Sequence, residues 1–213
     1  MKSYKPILQI AIFISVLLLT VRIIYTGSIS YLFLLWNLFL AYLPCLFSNM
    51  LLKTNTWNNS FPVKIMLIVL WLVFLPNAPY IVTDLFHLTN YSEVPLWFDL
   101  IMILFFAIAG LIFWLISIFQ VFKYLFRQSG RNIHAVYFLL IIVLSSLGVY
   151  IGRYLRWNTW DLVINSPELF HDVLSRLIHP TENPEIYGMT IIFSLFLGFV
   201  YYVFQSFYLP KDE

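Results

Sequence analysis

Leu75-Pro76-Asn77-Ala78-Pro79-Tyr80-Ile81-Val82-Thr83-Asp84-Leu85-Phe86-His87-Leu88 closes an apolar run that begins near Val63. About 20 helical residues cross the hydrocarbon of a bilayer, so a straight helix from Val63 brings Asp84 to the far boundary. Pro76 and Pro79 interrupt that helix past its midpoint. Each lacks an amide hydrogen and crowds the carbonyl four residues earlier, which deprives the carbonyls of Leu72 and Leu75 of their helical partners. Asn77 is the nearest side-chain donor. Irregular backbone persists at membrane depth only where protein or water surrounds it, so the break is expected to face inward. Asp84 and His87 follow three residues apart, on one helical face.

The surrounding composition agrees with a lipid environment. Of 213 residues, 62% are hydrophobic and 10% charged, where a soluble domain carries about 25% charged residues. A soluble chain of this length has too little interior to hide that apolar surface. The chain therefore reads as an integral membrane protein. Its net charge of +2 comes with no basic stripe for nucleic acid. Cys45, the only cysteine, excludes an internal disulfide and reads as a small apolar side chain. No phosphate-cradling glycine loop, nucleophile elbow or paired-cysteine metal motif occurs, and no cofactor is implied.

Outward from the proline break, the pattern predicts an all-α bundle in a single transmembrane domain, residues 1–213. Its six spans are expected at about 7–25, 30–52, 63–86, 96–122, 133–155 and 186–208. Lys2 and Lys5 precede the first run as in a secretory signal, but no small-x-small cleavage site follows, so an uncleaved span is expected. Asn37 should turn inward to a partner, because an unpaired amide in hydrocarbon is costly. Polar Lys53 to Ser60 and the short Tyr91 to Pro95 read as connections. Asp99 opens the fourth span, and Gly110, Gly148 and Gly152 suit close helix approach. Lys123, Arg127 and Arg131 form a basic loop, and Pro210 to Glu213 a polar tail.

A second charged stretch, Gly152-Arg153-Tyr154-Leu155-Arg156-Trp157-Asn158-Thr159-Trp160-Asp161, ends the fifth span, with Tyr150, Arg153 and Arg156 in its last turns. Beyond it Ser166-Pro167-Glu168 reads as a helix start with a capping hydroxyl. An amphipathic interfacial helix near 167–179 follows, apolar at Leu169, Phe170, Val173, Leu174, Leu177 and Ile178. With six spans, eight lysines and arginines fall on one side and only Arg22, Arg153, Arg156 and Arg176 on the other. The positive-inside rule then puts both termini in the cytoplasm and the two charged stretches level at the outer face.

These residues admit several chemistries. In the architectural reading, Asp84, Asp99 and Asp161 pair with Arg153 and Arg156 and lock the span ends together. In the second, the two arginines clamp a phosphate or carboxylate of an anionic lipid headgroup or lipid-linked envelope intermediate. Asp84 and His87 are then the catalytic candidates, the acid orienting the imidazole. Asn77, Tyr80, Asp99, Arg153, Arg156, Asn158 and Asp161 are the ligand-binding candidates. A metal variant would use Asp84, His87 and Asp99. A transport reading takes the broken third span as a substrate site with Asp84 and His87 relaying protons. The bilayer itself is the one partner the composition requires.

Both charged stretches resemble the signature blocks of an uncharacterised bacterial membrane-protein family, domain of unknown function 1361. Trp36-Asn37-Leu38-Phe39-Leu40-Ala41 with Pro44 is similar to its second-span pattern, and Pro95-Leu96-Trp97-Phe98-Asp99 to the start of its fourth. Thr159 stands where the family pattern has serine, and keeps a hydroxyl there. The resemblance implies a multi-span protein of the bacterial cytoplasmic membrane and supplies no activity.

Overall fold

A computed structural model describes residues 5–57, 60–88, 93–125 and 131–208. Lys2, Tyr91, Arg127 and the tail from Pro210 lie outside them. The described residues are helical without strands. Six helices are long and apolar enough to cross a membrane: Lys5–Thr26, Phe33–Thr54, Phe61–His87, Leu96–Leu125, His134–Arg153 and Pro184–Ser206. The chain divides into two compact units, Met1–Leu125 and Phe126–Glu213.

In the first unit, α1 (Lys5–Thr26) and α2 (Phe33–Trp57) pack on α5 (Leu96–Leu125). The third span is built in three pieces: α3 (Phe61–Phe74), the single turn α4 (Asn77–Tyr80) and a 3-10 helix (Ile81–His87). Helix α2 runs past Lys53, which the sequence reading gave to a loop. The α5 helix is the core element, with Met102, Ile103, Phe106, Phe113, Trp114, Ile118 and Val121 buried. Near its other end Ser48 donates to Gln120 Oε1 at 2.6 Å, and Gln120 donates to Asn49 Oδ1 at 2.9 Å. Amides and hydroxyls in hydrocarbon need such partners, so this trio joins α2 to α5.

In the second unit, α6 (Arg131–Arg153) packs on α9 (Pro184–Tyr208), with a Ser194–Ser146 hydrogen bond of 3.0 Å between them. Between these helices lie α7 (Asp161–Ile164) and α8 (Ser166–Ile178). The amphipathic helix is present where expected, but Asn165, not Ser166, occupies its N-cap and makes no side-chain cap. Only Leu169 and Val173 of its apolar arc are buried; Phe170, Leu174, Leu177 and Ile178 are exposed, as an interfacial helix requires.

Candidate functional site

In the first unit, the proline break builds one candidate site. Leu75 still donates to Trp71 O at 2.9 Å, but Pro76 has no amide to continue the ladder. Ala78 donates to Leu75 O at 3.3 Å and Tyr80 to Pro76 O at 3.0 Å. Asn77 acts as the expected local donor, to Phe74 O at 3.0 Å. The chain then tightens into the 3-10 helix, whose three-residue turn eclipses positions i and i+3. Asp84 and His87 therefore stand one directly beyond the other, Asp84 buried and His87 exposed. Tyr80 is half-buried at the junction, and its carbonyl accepts the Thr83 hydroxyl at 2.7 Å.

Close approach of the break to α5 depends on Gly110. A Cβ there would lie 2.5 Å from Ala78 O and 3.1 Å from Ile81 Cδ1. The glycine thus lets a backbone carbonyl of the broken segment rest on α5.

Two buried carboxylates border this segment, Asp84 at 1% exposure and Asp99 at 0%. Asn37 donates to Asp84 Oδ2 at 2.8 Å, the inward partner expected of that amide. Asp99 takes a guanidinium edge of Arg22, Nε to Oδ1 at 2.8 Å and Nη2 to Oδ2 at 3.4 Å. Arg22 was placed at this end by the charge count but given no role; a cation within an apolar run was itself the signal that an acid lies opposite. Its Nη1 is buried without a hydrogen-bond partner. The same guanidinium stacks 4.4 Å over the Tyr31 ring. Burial, reinforced by the nearby Asp99 charge, raises the Tyr31 pKa above its ordinary 10.0, so the hydroxyl remains a donor.

The second unit carries its own candidate cluster, at the end of α6. That helix stops at Arg153, so Arg156 lies beyond its last turn and not within it as expected. Arg156 instead takes the left-handed conformation, φ 60°, and the Trp157 amide turns back to Ile151 O at 3.3 Å. Gly152, which would have adopted that conformation freely, is used within the helix. The Arg156 side chain is exposed, and among the described residues it makes no hydrogen bond or ion pair; Arg153 is half-buried.

Asp161 knits the following loop, accepting from the Asn158 amide at 2.7 Å and from Asn165 Nδ2 at 3.1 Å. A cluster on the polar side of α8 holds that helix down. Asp172 accepts from Trp157 Nε1 and from Arg176 Nε, each at 3.0 Å, and Arg176 reaches Asn183 Oδ1 at 3.2 Å. The Trp157 hydrogen bond, with lesser help from Arg176, lowers the Asp172 pKa below its ordinary 3.8.

Among the described residues no group of three or more His, Cys, Asp or Glu side chains is placed to hold a metal, so the Asp84, His87 and Asp99 variant gains no geometric support. The family described as Protein of unknown function (DUF1361) matches over residues 36–204. No curated protein and no solved structure matches.

Proposed function

Because the chain belongs to the family described as Protein of unknown function (DUF1361), whose description names no activity, we propose a function from the geometry alone: it binds the anionic headgroup of a lipid or lipid-linked molecule at one face of the membrane. The observation that carries this reading is Arg156. A left-handed backbone costs a non-glycine residue about 1–2 kcal/mol, yet the position holds an exposed arginine. It follows Arg153 at a span end and precedes the half-exposed apolar arc of α8. A guanidinium there meets phosphate at headgroup depth, and its planar fork suits bidentate binding. Arg153, Asn158 and the loop braced by Asp161 complete the proposed binding set.

A second reading, headgroup chemistry, is favoured by the eclipsed Asp84 and His87. A buried acid one turn behind an exposed imidazole is an arrangement for acid–base work at a boundary. Asn77, Tyr80 and Asp99 then shape and brace that segment. In this reading the positive-inside rule puts the Asp84–His87 end of the third span at the outer face.

Native mass spectrometry of the protein released from mixed anionic and zwitterionic nanodiscs tests the first reading. The parent retains anionic lipid selectively, and Arg156→Ala and Arg156→Gly lose that selectivity while folding normally. Equal retention by parent and variants refutes it. For the second, strains carrying Asp84→Asn or His87→Ala should accumulate an altered lipid or envelope intermediate; an unchanged profile with normal protein levels rules out the chemistry and leaves binding.

A further inference from the structure

The connection between α1 and α2 carries a chain of contacts that the binding reading does not use. Asp99 grips Arg22, the Arg22 guanidinium lies on the face of Tyr31, and the Tyr31 hydroxyl donates to the backbone carbonyl of His87 at 3.0 Å. Two residues on, the Phe33 ring stands 4.9 Å from the His87 ring, tilted by 58°. His87 is thus held twice from one short turn, by its carbonyl and by its imidazole.

We propose that Tyr31 is a positioning residue for His87, with Arg22 and Asp99 fixing Tyr31 and Phe33 setting the imidazole plane. This rests on the headgroup-chemistry reading for its purpose, though not for its geometry. His87 ends the 3-10 helix, where the last carbonyls have no helical donor left. Without a tether this terminal turn frays, and the eclipsed relation to Asp84 goes with it. Tyr31 supplies the missing donor. It is well suited to do so, since a tyrosine hydroxyl is protonated at neutral pH with or without the upward shift that burial gives it, while the cation above its face fixes the ring. Stability alone does not account for the arrangement. A buried ion pair is a weak stabiliser, and this one leaves Arg22 Nη1 without an acceptor. What it does achieve is a fixed ring beside the 3-10 segment Ile81–His87.

The chain contains four histidines, so residue-resolved carbethoxylation of the full-length protein in micelles carries its own controls. Tyr31→Phe removes only the hydroxyl. It should change the labelling rate of His87 by roughly threefold or more, as the loss of one net hydrogen bond implies, while His134, His171 and His179 keep their rates. Phe33→Leu, which leaves the Tyr31 hydrogen bond intact, should also shift His87 selectively and serves if Tyr31→Phe does not fold. Asp99→Asn should act in the same direction as Tyr31→Phe, and the two should not add. A His87 rate unchanged in both Tyr31→Phe and Phe33→Leu, or one that moves in step with the other three histidines, overturns the proposal. If labelling shifts as described but His87→Ala leaves the lipid profile untouched, the positioning stands and the chemistry reading alone falls.

Discussion

Gly110→Ala offers the sharpest test of how the broken span is seated. The added methyl would stand 2.5 Å from Ala78 O, about 0.9 Å inside the 3.4 Å at which ordinary contact begins. The other close atom, Ile81 Cδ1 at 3.1 Å, ends a flexible side chain and can rotate away. The Ala78 carbonyl cannot rotate away in that manner, because it is backbone of the buried α4 turn packed on α5. Either α5 or the α4 turn must move. Gly188→Ala is the control, since a Cβ there meets nothing within 4 Å. Both substitutions gain helix propensity, so their difference isolates the overpacking cost, about 1–3 kcal/mol. Unfolding in mixed micelles, followed by helical circular dichroism, should place Gly110→Ala below the parent and Gly188→Ala level with it or above. If Gly110→Ala is as stable as Gly188→Ala, the close packing of the break on α5 is wrong.

The remaining predictions concern charges. Arg22→Ala should destabilise by about 3–5 kcal/mol, since it leaves the Asp99 carboxylate buried without its cation, whereas Arg22→Met with Asp99→Leu should recover most of that loss; the same unfolding titration reads both. Arg156→Gly should leave stability unchanged or raise it by about 1 kcal/mol through relief of the left-handed backbone, even as anionic-lipid retention falls. For Asp172 the folded pKa lies below the ordinary 3.8, so its contribution is complete above that value and is lost as pH falls through the lowered one. The emission difference between parent and Trp157→Phe should therefore be lost on acidification with its midpoint below 3.8. Asp172→Asn should weaken it at neutral pH, and a midpoint above 3.8 would contradict the assignment.

Much of this protein was legible because its strongest signals are local. A span announces itself by twenty apolar residues, and a proline removes a hydrogen bond whatever its surroundings, so the six crossings and the break before Asp84 followed from the sequence. Asn37 was readable as an inward donor for the same reason. What escaped was set by partners distant in the chain. Arg22 and Asp99 are 77 residues apart, and neither run names the other. The 3-10 segment Ile81–His87 packs against α5, a partner that nothing in its own stretch names. Arg156 leaves the α6 helix although the glycine suited to a left-handed cap lies four residues earlier.

The departures from regular helical economy share a character. A span that gives up α-geometry, a buried ion pair with an idle donor and an arginine in left-handed backbone each cost stability that an apolar or glycine substitute would recover. Natural sequences keep such violations sparse, and those that persist mark positions where something other than folding is being satisfied. Here they fall at Asp84 and His87, at Arg22 and Asp99, and at Arg156, all at span ends and none in the apolar middle of α5. Headgroup depth is where phosphate and water are met. Substitutions that restore apolar packing should therefore separate stability from the proposed binding role.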